Sequence, residues 1–454
     1  MDQILGTLNR FLTGPIMVWS VLAVGVYLTF CTGGVQFRYF GRMLRETLGR
    51  LFSRSKSKKE GITPFQAMTA ALSGTLGTGN IAGVAAAVSV GGAGALFWMW
   101  VSALFGMATK YTEIVLAVAY RKKMPDGQYR GGPMCYLPAA FCRTPKLGRK
   151  MAAFFAVCCL GASFFMGNMV QSNTAAAAVS AVFPIHSSGL RICFAVIALL
   201  VGMVIFGGLK RITRTTEWLI PLLSLVYMAG CVFVIVRNAE GLPAVWEEIW
   251  ASAFSVPSAA GGVGGFLLNR SVKVGITRGI FTNEAGLGSA PIVHASAETP
   301  SPAHQGLWGM FEVFLDTIVF CSLTGFVVLL SGFHREGIRD GAALTLRAFE
   351  QGLGSGAAVL IGGSTVFFAL ATILGWNYYG ETCVRYLFPK SEERAVSCYR
   401  VCYILAVYLG AVTALDLVWG LSDLFNGLMM LPNLCGILLL SGKVRKENRA
   451  LSKK

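Results

Sequence analysis

The chain is built around long apolar runs. Phe11 to Phe30 and Ile192 to Gly208, for example, hold no charged residue. A run of about 20 apolar residues matches the roughly 30 Å hydrocarbon core of a bilayer. In that core backbone groups find no water, so each run must bond to itself as a helix. Charged residues make up only 13% of the chain, about half the roughly 25% of a soluble domain. A soluble enzyme, a disordered chain and a nucleic-acid module are excluded. The expected class is an all-α integral membrane protein.

Eleven segments reach spanning length, at about 11–31, 65–90, 94–120, 151–182, 190–208, 216–237, 243–266, 305–331, 357–384, 396–415 and 417–440. The net charge of +17 sits in short clusters between them, the pattern that orients membrane proteins rather than one that binds nucleic acid. With the N-terminus outside, the loops and tail on the inner side carry 32 Lys and Arg and the outer side carries 6. Positive charge stays inside, so the expected topology is N-terminus out, C-terminus in, in a plasma membrane. The basic clusters read as topology and lipid-headgroup contact.

The 12 cysteines include Cys158, Cys159, Cys231 and Cys321 within apolar runs, where a thiol acts as a small hydrophobe. There is no CxxC, and the four histidines are scattered, so no zinc site or organic cofactor is expected. His294 and His304 read as solvated loop residues. The first apolar run is too long for a signal-peptide core and lacks a basic start; it is expected to remain as a helix.

The second span is interrupted by Ser73-Gly74-Thr75-Leu76-Gly77-Thr78-Gly79-Asn80. Each glycine costs a helix about 1 kcal/mol relative to alanine. Within a membrane, unwound backbone survives only against protein or a water-filled cavity. A helix restarting near Thr78 to Asn80 presents free N–H groups suited to a carboxylate. The half-helix before it ends in free carbonyls suited to a hard cation. Small residues also pack helices closely, and Gly79 to Gly83 fits that spacing. A second interruption is expected at 257–265, where Pro257 precedes Ala260, Gly261 and Gly262. Breaks opening each of two five-helix groups point to an inverted-repeat transporter. The division is then a first helix and basic loop (1–64), repeat 1 (65–237), repeat 2 (243–440) and a basic tail (441–454).

Several motifs resemble the alanine-or-glycine:cation symporter family. They are Ser73 to Asn80, Gly91-Gly92-Ala93-Gly94-Ala95-Leu96-Phe97-Trp98-Met99-Trp100, Gly131-Gly132-Pro133-Met134, Thr282-Asn283-Glu284-Ala285-Gly286-Leu287-Gly288-Ser289, Asp316-Thr317 and Leu374-Gly375-Trp376. The resemblance implies a LeuT-type fold of five plus five helices with one helix in front. It implies uptake of alanine or glycine coupled to Na+, with H+ as the alternative ion. Carried over motif by motif, the amides of Thr78 and Gly79 are candidates for the substrate carboxylate. The Thr75 carbonyl, with Ala260, Gly261 or Gly262, is a candidate for its ammonium group. The carbonyls of Ser73 and Leu76 and the Thr372 hydroxyl match a sodium site, and Asn80 a second cation ligand. Ala371 stands where relatives carry another hydroxyl, which removes one oxygen from that site.

Gln171 is placed at the substrate in preference to Asn168 and Asn173, although an interhelical bond also satisfies an amide. Trp376 either walls the pocket or packs. Glu312 and Asp316, one helical turn apart, share a face, and buried carboxylates mark ion pathways by default; pairing with Lys110 is the structural alternative. Lys110 and Glu113 are expected to pair. Asn283 and Glu284 are expected in a cytoplasmic loop, gating or capping. An embedded enzyme needs a convergent acid–base or metal set, and a channel needs a continuous polar lining; neither pattern is visible. Nothing in the sequence reports the oligomeric state.

Overall fold

The computed structural model describes residues 9, 14–51, 61–125, 127–182, 186–255, 270–338, 340–412 and 415–452. Helix α1 (Pro15–Cys31) stands before the rest, followed by the short amphipathic α2 (Phe40–Leu51). Then come α3 (Pro64–Thr75), α4 (Gly79–Gly91), α5 (Gly94–Ala119), the short α6 (Pro133–Ala140), α7 (Pro145–Ser180), α8 (Ser187–Ile205) and α9 (Gly208–Arg237). The second half holds α10 (Leu242–Ala253), α11 (Arg270–Asn283), the short α12 (Ala290–His294), α13 (Pro302–Ser331) and α14 (Gly341–Leu353). It ends with α15 (Gly356–Leu387), α16 (Glu392–Val412), α17 (Leu415–Leu439) and α18 (Ser441–Ser452).

Burial is inverted relative to a soluble protein. Ile192, Leu199, Trp218 and Leu222 are more than half exposed, while Lys110, Glu113, Glu312 and Asp316 are wholly buried. Apolar side chains lose nothing by facing lipid, so α8 and α9 wear theirs outward. Charged groups avoid hydrocarbon by facing the bundle interior.

Among the described residues, eight helices are long and apolar enough to cross a bilayer, or nine with α3 and α4 taken as one bent span. Eleven were expected. Part of the difference is α1, whose 17 residues fall short of a full span. The rest comes from the segment expected to cross at 243–266. In the structure α10 ends against the start of α5, where a Cβ on Gly94 would lie 2.3 Å from the Ala253 nitrogen. The next described helix begins at that same end, with Ser271 Oγ donating to the Gly91 carbonyl. Residues 256–266 of that expected span lie outside the described residues, and α11 packs into the bundle. It runs down α5 with Gly275 against Ala95 and Gly279 against Ser102 and Met99, the small-residue contact that lets two membrane helices approach closely.

Around α10, Phe97, Trp98, Trp100, Trp246, Trp250 and Phe254 form a connected aromatic cluster. Amphipathic rings of this kind settle at membrane–water interfaces.

Candidate functional site

Helix α3 starts with a reciprocal cap. The Thr63 hydroxyl accepts from the Gln66 amide at 3.1 Å, and Gln66 Oε1 accepts from the Thr63 amide at 3.0 Å. Such caps satisfy donors that the first helical turn leaves free. The helix runs to Thr75 and stops, with Leu76 extended (φ −71°, ψ 101°). α4 resumes at Gly79, bent 57° from α3. The expected interruption is present, and its first turn, Gly79–Gly83, is a π turn.

A further break adjoins it. The 257–265 segment, with Ala260, Gly261 and Gly262, lies outside the described residues. The observed break runs from Glu284 to Ser289, between α11 and α12. Glu284 has φ of 53°, and Gly286 and Gly288 have φ of 97° and 80°. Glu284 is the single non-glycine with positive φ among the described residues. Asn283 and Glu284 are buried, not in a cytoplasmic loop. The breaks adjoin: a Cβ on Gly79 would lie 3.4 Å from Thr282 Cγ2.

One polar chain ties the two breaks together. Asn80 Oδ1 accepts from the Gly77 amide at 3.1 Å, and its Nδ2 donates to Asp316 Oδ1 at 2.7 Å. The Thr317 hydroxyl donates to Asp316 Oδ2 at 2.8 Å, and Asn283 Nδ2 donates to Thr317 at 3.3 Å. Asn283 Oδ1 in turn accepts from the Ala285 amide at 3.0 Å. Asp316 and Thr317 lie in a π segment, Phe314–Cys321, within α13. A third, Phe165–Val170, ends just before Gln171 in α7. Such bulges displace a turn of backbone and cluster at functional sites.

The wall facing the first break comes from α15 and α7. A Cβ on Gly77 would lie 3.2 Å from Thr372 Oγ1 and 3.7 Å from Gln171 Oε1. Thr372 donates to its own helix at Phe368, and Ser73 and Thr75 donate to Ala70 and Leu72. Their hydroxyl lone pairs remain available to a cation. With the terminal carbonyls of α3 at Ser73 and Leu76, they form an all-oxygen donor set that suits Na+. Among the described residues no group of three His, Cys, Asp or Glu could hold a metal.

Trp376 packs against Gly167, where an added Cβ would overlap Trp376 Cβ and Cγ. The buried Gln171 Oε1, Trp376 Nε1 and Tyr379 hydroxyl have no hydrogen-bond partner. All three border Ser73 to Gly79, because a Cβ on Gly74 would meet Tyr379 Oη at 3.3 Å and Trp376 Cδ1 at 3.6 Å. Buried polar atoms without partners are costly, and a zwitterion supplies both donors and acceptors. Thr75 and Thr78 are buried at the same break. Asn168 and Asn173 instead donate to the Tyr403 and Gly410 carbonyls on α16, which leaves Gln171 as the amide at the break. Tyr379 escaped the sequence reading; its signal was the three-residue spacing from Trp376, which places both on one face.

Below the breaks lies an ionic cluster. Lys110 Nζ is 3.3 Å from Glu312 Oε1, and His294 Nε2 is 3.2 Å from Glu312 Oε2. Glu312 thus pairs with Lys110, the structural alternative to a coupling role. Lys110 does not pair with Glu113, which accepts from Asn433 Nδ2 instead. Asn433 also donates to the Gly286 carbonyl at 2.8 Å, so Glu113 reaches the second break through it. His294 is fully buried rather than solvated. His304 is also buried, 2.8 Å from Glu46.

Two discontinuous helices meeting among oxygen donors and unpartnered polar groups define a membrane transporter, not an enzyme. The chain matches the model of the sodium:alanine symporter family over residues 1–454, and it belongs to that family. It is 39% identical to the sodium/alanine symporter AgcS of Methanococcus maripaludis, over 99% of this chain and 97% of that protein. It is 40% identical to an uncharacterized transporter of Haemophilus influenzae, covering 99% and 96%. It is 37% identical to the probable sodium/glutamine symporter GlnT of Bacillus subtilis, covering 97% and 88%. Its fold resembles the crystal structure of MhsT in complex with L-phenylalanine, with a TM-score of 0.59 at 15% identity, over 87% of this chain and 99% of that one. The LeuT-type fold follows from that likeness.

Proposed function

We propose that the chain couples inward sodium flow to uptake of a small neutral amino acid, alanine or glycine, by alternating access. The observation that carries this is the bent break between α3 and α4, lined by Thr372, Gln171 and Trp376. The amides of Thr78 and Gly79, at the restart of α4, bind the carboxylate. The Thr75 carbonyl and Gln171 Oε1 accept from the ammonium group. The carbonyls of Ser73 and Leu76 with the Thr372 hydroxyl hold Na+. Asn80, already bonded to Gly77 and Asp316, braces the break.

Trp376 sets the size limit. Seated on Gly167 without space to retreat, its indole restricts the ligand to a small side chain. The two repeats, 65–237 and 243–440, rock about the site, with the N-terminus outside and the C-terminus in the cytoplasm. The membrane potential adds about 2.3 kcal/mol per charge per 100 mV, so one coupled ion concentrates substrate by tens of fold. Uptake of radiolabelled alanine into proteoliposomes tests the reading. An inward sodium gradient should drive accumulation and choline should abolish it. Accumulation unchanged in choline would overturn sodium coupling, and no accumulation of alanine or glycine would overturn the substrate class.

A further inference from the structure

We propose that Glu284 is a proton-binding site: a carboxylic acid carried in its neutral form at the break between α11 and α12. The inference rests on charge, bonding and backbone geometry at this residue, not on the identity of the transported substrate.

The charge argument begins with the groups around it. Four carboxyls are buried together: Glu113, Glu284, Glu312 and Asp316. The basic groups buried among them are Lys110 and His294. Glu284 faces Lys110 from α5, Glu312 and Asp316 from α13, Tyr379 from α15 and Cys159 from α7. At most two cations therefore stand against four carboxyls, which leaves at least two negative charges uncompensated, and a membrane interior does not hold them.

Hydrogen bonding decides which acids take protons. Glu312 has Lys110 and the His294 ring. Asp316 receives Asn80 on one oxygen and Thr317 on the other, so both of its oxygens are bonded. Glu284 receives only the Ser289 hydroxyl, at 2.5 Å on Oε2, and its Oε1 has no partner. Glu113 likewise has one bare oxygen, but it sits in the regular helix α5. Glu284 alone is built into the break, on a left-handed backbone that a glutamate side chain disfavours. A side chain held on disfavoured backbone points to a functional role at that place. The proton comes from water on whichever side the break is open, and it leaves when the segment rearranges.

The test is infrared spectroscopy of the purified full-length chain in a bilayer. A protonated carboxylic acid shows a carbonyl stretch well separated from carboxylate bands. The wild type should show buried acid bands, and Glu284→Gln should remove one of them. Asparagine tolerates positive φ better than glutamine, so Glu284→Asn provides the same reading should the first variant not fold. Adding sodium with alanine should shift the band that these variants lack. An acid spectrum unchanged by both substitutions overturns the proposal, as does their removing only a carboxylate band. A wild type that fails to accumulate alanine or glycine while the band loss stands overturns the functional reading alone.

Discussion

At single residues, the site depends on backbone that side chains must not cover. Gly79 has ordinary clearance for one methyl group, 3.4 Å from Thr282, and none for a branched side chain. Gly79→Val should therefore abolish alanine binding while the protein still inserts and purifies, measured by equilibrium binding of labelled alanine. Retained binding would move the carboxylate cradle elsewhere. Thr372 supplies an oxygen in a place where Ala371 supplies none. Thr372→Val keeps the shape and removes that oxygen, so the sodium concentration for half-maximal uptake should rise about tenfold, equivalent to about 1.4 kcal/mol. Gly167 is an exacting position: a methyl group there overlaps Trp376. Overpacking of this kind costs about 1–3 kcal/mol. Gly167→Ala should lower the melting temperature and shift the substrate range together, as read by thermal unfolding and competition with an amino-acid panel.

At the level of helices, the first break was legible because glycine and hydroxyl residues crowd an otherwise apolar run. The break expected at Pro257 and the glycines after it lies outside the described residues. The one from Glu284 to Ser289 went unread, because Gly286, Gly288 and a glutamate at positive φ stand in a stretch that reads as a loop. The basic residues Arg270, Lys273 and Arg278 made α11 look like a loop. In the structure its opposite face, with Gly275 and Gly279, packs on α5. The ionic cluster was legible only in part: pairing of Glu312 or Asp316 with Lys110 was one alternative, but Lys110, His294 and Glu312 come from three separate elements, and local spacing pairs Lys110 with Glu113 instead. Removing one partner of a buried ion pair costs about 3–5 kcal/mol. Lys110→Met should therefore destabilise strongly, while Lys110→Met with Glu312→Leu should recover part of the loss. Unfolding of the two single variants and the double variant forms the cycle; strictly additive losses would show that the pair does not interact.

Across the whole molecule, the two breaks are linked by one polar chain running Asn80, Asp316, Thr317, Asn283, and this couples the halves. Rearranging either break requires these bonds to shift, so a ligand that settles the first break also restrains the second. The Glu284–Ser289 segment lacks regular secondary structure, and its backbone is held by Asn283 at the Ala285 amide, by Asn433 at the Gly286 carbonyl and by a turn from the Leu287 amide to the Glu284 carbonyl. Segments held in this way open locally at low cost. Hydrogen exchange should therefore slow in residues 284–289 when sodium and alanine are added together, although the proposed ligand site lies at Ser73 to Gly79. Asn80→Ala, which cuts the chain at its first link, should leave that distant protection weaker at saturating ligand. Equal protection in the variant and the wild type would mean that the halves communicate by another route, through the packed glycines of α5 and α11.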